Sequence, residues 1–212
     1  FDLLGAKEPF SSLTSYSSRP FFNITIMALI IIGGIGFLTW EDIKKNKFRL
    51  RKYRMQSKVI LTVSVLLIIF PAFYFFFIEY SDMQIKERII ASLFQSVTTR
   101  TAGFNTTDLS AFSETGQMMT ILLMLVGGSP GSTAGGMKTT TIAVLVVSAF
   151  AVFSRKENAQ VYKRRIGDDI VKNAATIFLM YIVLFTGGGM IISSIEHIPL
   201  LTSLFETASA IG

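Results

Sequence analysis

The chain has 212 residues, half of them hydrophobic, with 20 Lys or Arg, 14 Asp or Glu, one His and no Cys, for a formal net charge of +6. Mean hydropathy is +0.53, and the apolar residues stand in long uncharged runs rather than at amphipathic spacing, a membrane composition and not that of a soluble domain. Without Cys there are no disulfides, zinc clusters or iron–sulfur sites, and His197 alone cannot build a His-based metal centre from this chain.

Phe1 is not an initiator Met and no basic stretch leads into a short apolar run, so no signal peptide is read and a fragment is expected. The first apolar run, 22–40, meets the roughly 20 residues that a helix needs to cross a hydrocarbon core of about 30 Å. Gly33, Gly34 and Gly36 within it suit close helix approach. Residues 41–58 then hold eight Lys or Arg against two acids. Basic loops beside spans mark the cytoplasmic side, because Lys and Arg resist translocation. Nucleic-acid binding would need this charge on a folded soluble domain, and none is present. Anionic lipid or a cytosolic partner is a secondary reading of the same loop.

Residues 59–79 form the next span, with a kink expected at Pro71. Its Phe-rich run at 70–77 reads as lipid-facing surface or core. Residues 80–115 lie outside, with Lys86, Arg88 and Arg100 their only bases. A helix at about 87–99 is too short to cross and reads as a re-entrant pore helix. At its end stands VTTRTAGFNT, residues 97–106. A pore that strips water from potassium must offer replacement oxygens, and an extended segment can do so with backbone carbonyls. Within a filter at 99–104, Thr101, Ala102 and Gly103 suit that role, since their side chains are small and Gly can take the positive φ that turns a carbonyl inward. The helix preceding them points its negative dipole end at the cation. The alternative is an ordinary outer turn, since Thr, Asn and Gly are turn residues. Arg100 is expected to face away from the axis and to cap pore-helix carbonyls.

The return span is broken. As one helix, residues 116–153 would be about 57 Å long, nearly twice the bilayer core. Gly127, Gly128, Ser129, Pro130, Gly131, Ser132, Thr133, Ala134, Gly135, Gly136, Met137 and Lys138 interrupt it with helix breakers, leaving a broken span over 117–153. Irregular backbone at membrane depth persists only where protein or a water-filled cavity covers it. Three readings of this loop compete. A phosphate loop fails because Met137 separates Gly136 from Lys138. A nucleophile elbow matches formally at Gly127, Gly128, Ser129, Pro130 and Gly131. An intramembrane serine hydrolase would, however, need a base near Ser129, and His197 belongs to the outer end of a later span, where it reads as an interfacial loop residue. The third reading is a flexible gating loop, with Lys138 placing positive charge where it obstructs cations.

Residues 154–173 carry six bases against three acids, a second cytoplasmic loop. A span at 174–195 follows, with Gly187, Gly188 and Gly189 for packing, and then a short helix at 200–212. Ser203-Leu204-Phe205-Glu206 in that helix echoes Ser92-Leu93-Phe94-Gln95 in the earlier one. Phe1-Asp2-Leu3 similarly echoes Phe104-Asn105-Thr106. The expected fold is an all-α membrane protein of repeated span, re-entrant pore helix and span units around a pore, with one broken span. Residues 1–57 end one unit, 58–153 form a whole one, and 154–212 begin another.

Taken together, ALIIIGGIGF (28–37), FQSVTTRTAGFNT (94–106), GGSPGSTAGGMKT (127–139) and LFETASAIG (204–212) resemble the membrane subunit of the Ktr/Trk potassium transporters, related to plant HKT proteins. The resemblance implies four span, pore-helix, span units around one pore, these residues running from the end of the second unit to the start of the fourth. Gly103 is then the third filter glycine and 127–138 the intramembrane gating loop. It further implies potassium uptake rather than enzymatic activity, and no cofactor, with sodium affecting uptake in some members. A homodimer in the lipid of the plasma membrane and a cytosolic nucleotide-binding regulatory subunit are also implied.

Overall fold

A computed structural model describes residues 12–47, 49–156 and 158–212; the echo at Phe1-Asp2-Leu3 lies outside them. Helix α1 (Pro20–Gly34) has Pro at its first position, where a missing N–H leaves no helical bond unmade. It does not run on to residue 40 as the unbroken apolar stretch suggests. The chain turns at Gly36, φ +83°, and resumes as α2 (Phe37–Asn46), bent 97° from α1. Gly36 is required twice over. Its φ is left-handed, and a Cβ there would lie 2.6 Å from the Pro130 carbonyl oxygen.

The basic segment after α2 is held by one carboxylate. Asp42, 3% exposed, accepts from the Arg54 backbone N–H at 3.0 Å and the Ser57 hydroxyl at 2.6 Å. The Arg54 guanidinium reaches its other oxygen at 3.5 Å. These groups open α3 (Met55–Tyr74), so Asp42 sits against a helix N-terminus whose free N–H groups and dipole favour an anion. Helix α3 continues through Pro71 and widens into a π-helical turn at Phe75–Glu79, four residues beyond the expected kink.

Helix α4 (Ile85–Thr98) packs against α1 and α3, where Phe94 and Val97 meet Met27. Helix α5 (Glu114–Leu125) is capped by the Ser113 hydroxyl, which accepts from Gly116 N at 3.0 Å. The Glu79 carboxylate closes over the same end, accepting from Ser113 N at 3.1 Å. A Cβ at Gly116 would meet Glu79 Oε1 at 2.3 Å, which explains glycine in that first turn. After an irregular segment, α6 (Thr139–Phe153) completes the broken span.

Between α6 and the next helix stands an unanticipated two-stranded hairpin, β1 (Gln160–Val161) and β2 (Arg164–Arg165). Tyr162 and Lys163 turn it at positive φ, and the Tyr162 hydroxyl lies 2.7 Å from that of Thr62 on α3. Helix α7 (Asp168–Glu196) is followed by α8 (Leu200–Ile211), which folds back onto α7 and α5. Leu204 and Thr207 of α8 approach so closely that Cβ atoms on Gly189 and Gly188 would meet them at 2.6 and 2.9 Å. The main core joins these elements through Phe75, Tyr80, Phe112, Ile121 and Phe205.

Residues Met55–Glu79 and Asp168–Glu196 are long and apolar enough to cross a membrane, and α1 with α2 counts as a third only if the bent pair is taken as one span. Their outer faces expose Phe70 and Phe73 on α3 and Leu179 and Val183 on α7. That surface suits lipid and would be costly in water.

The Ser57 hydroxyl above all, with the Arg54 N–H and the Arg54 and Lys45 charges, holds the Asp42 carboxyl below its usual range, against the opposing effect of burial. A depressed carboxyl stabilises the fold above its unfolded pKa, and that contribution is lost as pH falls through the folded value. Asp42→Asn should therefore cost on the order of 1–3 kcal/mol at neutral pH, read as a lower melting temperature in detergent. Its melting temperature should also fall less than wild type's below the ordinary Asp pKa of about 3.9. Parallel acid slopes in the two proteins would remove Asp42 from this role.

Candidate functional site

Helix α4 carries Ser92, Phe94, Gln95, Ser96, Val97 and Thr98 into the interior, each at most 2% exposed. Its final carbonyls are taken up locally. Thr99 N donates to Gln95 O at 3.4 Å, Arg100 N to Val97 O at 3.2 Å, and Ala102 N and Gly103 N to Thr98 O at 3.2 and 3.1 Å. The Thr98 hydroxyl then makes two bonds to one residue: it donates to Phe104 O and accepts from Phe104 N, both at 2.9 Å. Residues 99–103 are thereby pinned as a short closed loop.

Within that loop Thr101 has φ +63° and Gly103 φ +73°. For Gly this is an ordinary conformation; for a β-branched Thr it stores strain of about 1–3 kcal/mol, which the surrounding structure must impose. Among the described residues the carbonyls of residues 99–103 accept no hydrogen bond. Thr99, Thr101, Ala102 and Gly103 line a cavity of about 200 Å³, completed by Met124 of α5 and by Ala208, Ser209 and Gly212 at the end of α8. The sequence echo has a structural counterpart: Ser92 and Ser203, like Phe94 and Phe205, are all buried on short helices that follow long ones.

Arg100 is only 7% exposed. Its Nη2 donates to Ser64 Oγ at 3.3 Å and lies 3.9 Å from where a Cβ on Gly34 would stand. The expected capping of pore-helix carbonyls is not what the side chain does, because backbone N–H groups already occupy them. Among the described residues its Nε has no hydrogen-bond partner and no carboxylate forms an ion pair with it.

The irregular segment between α5 and α6 is more tightly held than a flexible interruption. Val126 and Met137 form a parallel bridge, with Gly127 N donating to Met137 O at 2.9 Å and Met137 N to Leu125 O at 3.3 Å. Thr139 N reaches Gly128 O at 3.1 Å. Across to the end of α1, Ser129 N donates to Gly34 O at 3.0 Å and Thr133 N to Gly33 O at 3.3 Å, while Phe37 N donates to Gly131 O at 3.0 Å. Cβ atoms on Gly127 and Gly136 would stand 2.0 Å from Gly135 O and 2.9 Å from Gly127 Cα. A Cβ on Gly135 would stand 2.4 Å from Gly212 O. The loop therefore abuts the end of α8, whose Gly212 also lines the cavity with residues 101–103.

Ser129 is fully buried. Its hydroxyl meets only that of Thr139, at 3.4 Å, so no general base accompanies it among the described residues. His197 caps α7 in a left-handed conformation. It stands at the opposite end of α8, twelve residues or about 18 Å of helix, from the Gly212 that adjoins the loop. The elbow pattern at residues 127–131 is thus a backbone feature without a catalytic partner. Sequence reasoning missed the Thr98 clamp and the docking role of Gly33 and Gly34. The cue for the second was the glycine triplet at 33, 34 and 36, which interrupts an otherwise aliphatic run.

Residues 1–212 match the TrkH family, described as a cation transport protein. The potassium/sodium uptake protein NtpJ of Enterococcus hirae is 36% identical over 221 residues, covering 100% of this chain and 48% of that protein. Ktr system potassium uptake protein B of Bacillus subtilis is 34% identical over 207 residues, covering 95% of this chain and 46% of its own length. This chain thus spans about half the length of the curated relatives it matches. The crystal structure of the potassium transporter TrkH from Vibrio parahaemolyticus superposes with a TM-score of 0.77 over 94% of this chain and 44% of that one, at 19% identity, and shares its helical membrane fold. With its whole length matched and its apolar helices multiple, the chain belongs to the TrkH family of multi-pass membrane cation transport proteins.

Proposed function

We propose that this chain forms part of a pathway for potassium uptake, with the backbone carbonyls of Thr101, Ala102 and Gly103 as ion ligands. One observation carries the reading: a clamped run of carbonyls that no donor reaches among the described residues borders a cavity shared by the ends of two short helices. Neutral oxygens already freed of protein donors are what a dehydrated monovalent cation requires. The relatives named for potassium uptake supply the ion. Residues 127–138 are the gating loop, a role supported by the approach of Gly135 to Gly212, which lines the same cavity.

On this reading residues 1–57 end the second pore unit, 58–153 are the third, and 154–212 open the fourth. The basic segments 41–58 and 154–173 face the cytoplasm of a plasma-membrane protein. A homodimer in lipid, a cytosolic nucleotide-binding regulatory subunit and modulation by sodium complete the assembly. Hydrolysis at Ser129 has no support from its surroundings.

Three outcomes test this reading in the full-length protein. Gly103→Asp should abolish growth rescue of a host deficient in potassium uptake, because a Cβ and a charge disturb the carbonyl ring; normal rescue argues against the filter. Thr98→Val removes both clamp bonds, each worth about 1 kcal/mol. It should reduce rubidium-over-sodium selectivity several-fold to about thirtyfold, measured with rubidium-86 and sodium-22, and unaltered selectivity would dismiss the clamp. Shortening 128–136 should raise flux through loss of a barrier, and unchanged flux in properly inserted protein would sink the gate.

A further inference from the structure

Lys138 occupies the N-cap position of α6, the end of a helix where peptide dipoles are positive and a cation is least favoured. Its ammonium turns back on the loop and donates to the Ala134 carbonyl at 2.7 Å, with the Gly135 carbonyl at 3.4 Å. No carboxylate forms an ion pair with it among the described residues. Two neutral backbone oxygens converging on one monovalent cation is the ligand chemistry by which a pore receives potassium. The place is equally telling. Gly135 lies against the Gly212 carbonyl, and Gly212 lines the cavity with Thr101, Ala102 and Gly103.

We propose that Lys138 is a tethered cation: its ammonium fills a carbonyl site on the loop that a permeating ion would otherwise occupy, and ions pass by displacing it. The proposal rests on the pathway reading above and deepens it, because it names what the loop holds and what competes for it. A steric plug would hinder every ion equally at every concentration. A tethered ammonium is displaced by mass action, so its effect belongs in the concentration dependence of transport. Charge-assisted hydrogen bonds are roughly twice as strong as neutral ones, so removing the ammonium should ease occupation of the site by about tenfold.

The test uses full-length protein in vesicles and rubidium-86 as probe. Lys138→Gln should lower the half-saturating rubidium concentration about tenfold, and Lys138→Arg, which keeps the charge, should return it toward the wild-type value. If Lys138→Gln leaves half-saturation unchanged while deletion of 128–136 still raises the maximal rate, the tethered cation is overturned and the gate stands. If neither change alters transport by inserted protein, the gate itself is overturned and this proposal with it. A second measurement serves even if the variants fail to insert. In wild-type protein, acetylation of Lys138 by a small acylating reagent should accelerate as potassium is raised, but not with N-methylglucamine at equal ionic strength. A rate indifferent to potassium overturns the proposal.

Discussion

The structure depends on one constraint: backbone polar groups at membrane depth must find partners inside the protein. Helix α1 stops at Gly34 and strands its last carbonyls, as every helix end does. Three of them are met from outside the helix. Ile32 O accepts from the Trp40 indole N–H at 3.0 Å, Gly33 O from Thr133 N and Gly34 O from Ser129 N. Two of those donors belong to the irregular segment between α5 and α6, which has the same difficulty with its own N–H groups. Two broken spans, a hundred residues apart in sequence, complete each other's hydrogen bonding. Glycine is needed on both sides so that the backbones can come this close.

What could be read from the sequence follows from which signals are local. Long apolar runs report spans by length alone, and the cluster from Gly127 to Lys138 reports a break because several helix breakers fall together. The short-helix echo at Ser92 and Ser203 was likewise visible. The end of α1 was not, because Gly-Gly-Ile-Gly within aliphatic residues reads as well for close packing as for a break. What decides it is Pro130, Ser129 and Thr133, whose contact no local window contains. The hairpin at 160–165 was hidden for a similar reason. Tyr162 and Lys163 are poor residues for positive φ, and they adopt it where Tyr162 docks on Thr62 and beneath Lys58. The loop proposed as the filter stands at Arg-Thr-Ala-Gly-Phe in the sequence. Its anchoring was not legible there, since nothing in the sequence distinguishes Thr98 from Thr99.

Arg100 shows how electrostatics and backbone economy divide the work. A buried guanidinium without a carboxylate is costly. This one lies at the C-terminal end of α4, where the helix dipole favours positive charge. It is drawn back to Ser64 and the Gly34 end of α1, while the backbone of its own segment folds toward the cavity. The charge is thus used behind the loop, bonding its segment to Ser64 of α3, and the cavity wall is left to neutral groups.

The Thr98 clamp has a thermodynamic consequence. Because one hydroxyl binds both the N–H and the carbonyl of Phe104, residues 99–103 lose their conformational freedom when the chain folds. A flexible loop would have to be ordered at every capture, subtracting from affinity and slowing exchange. On the proposed reading, a loop ordered beforehand adds no ordering cost when an ion binds. Its circumference is set by the number of residues between the two ends of the clamp, not by what those residues carry.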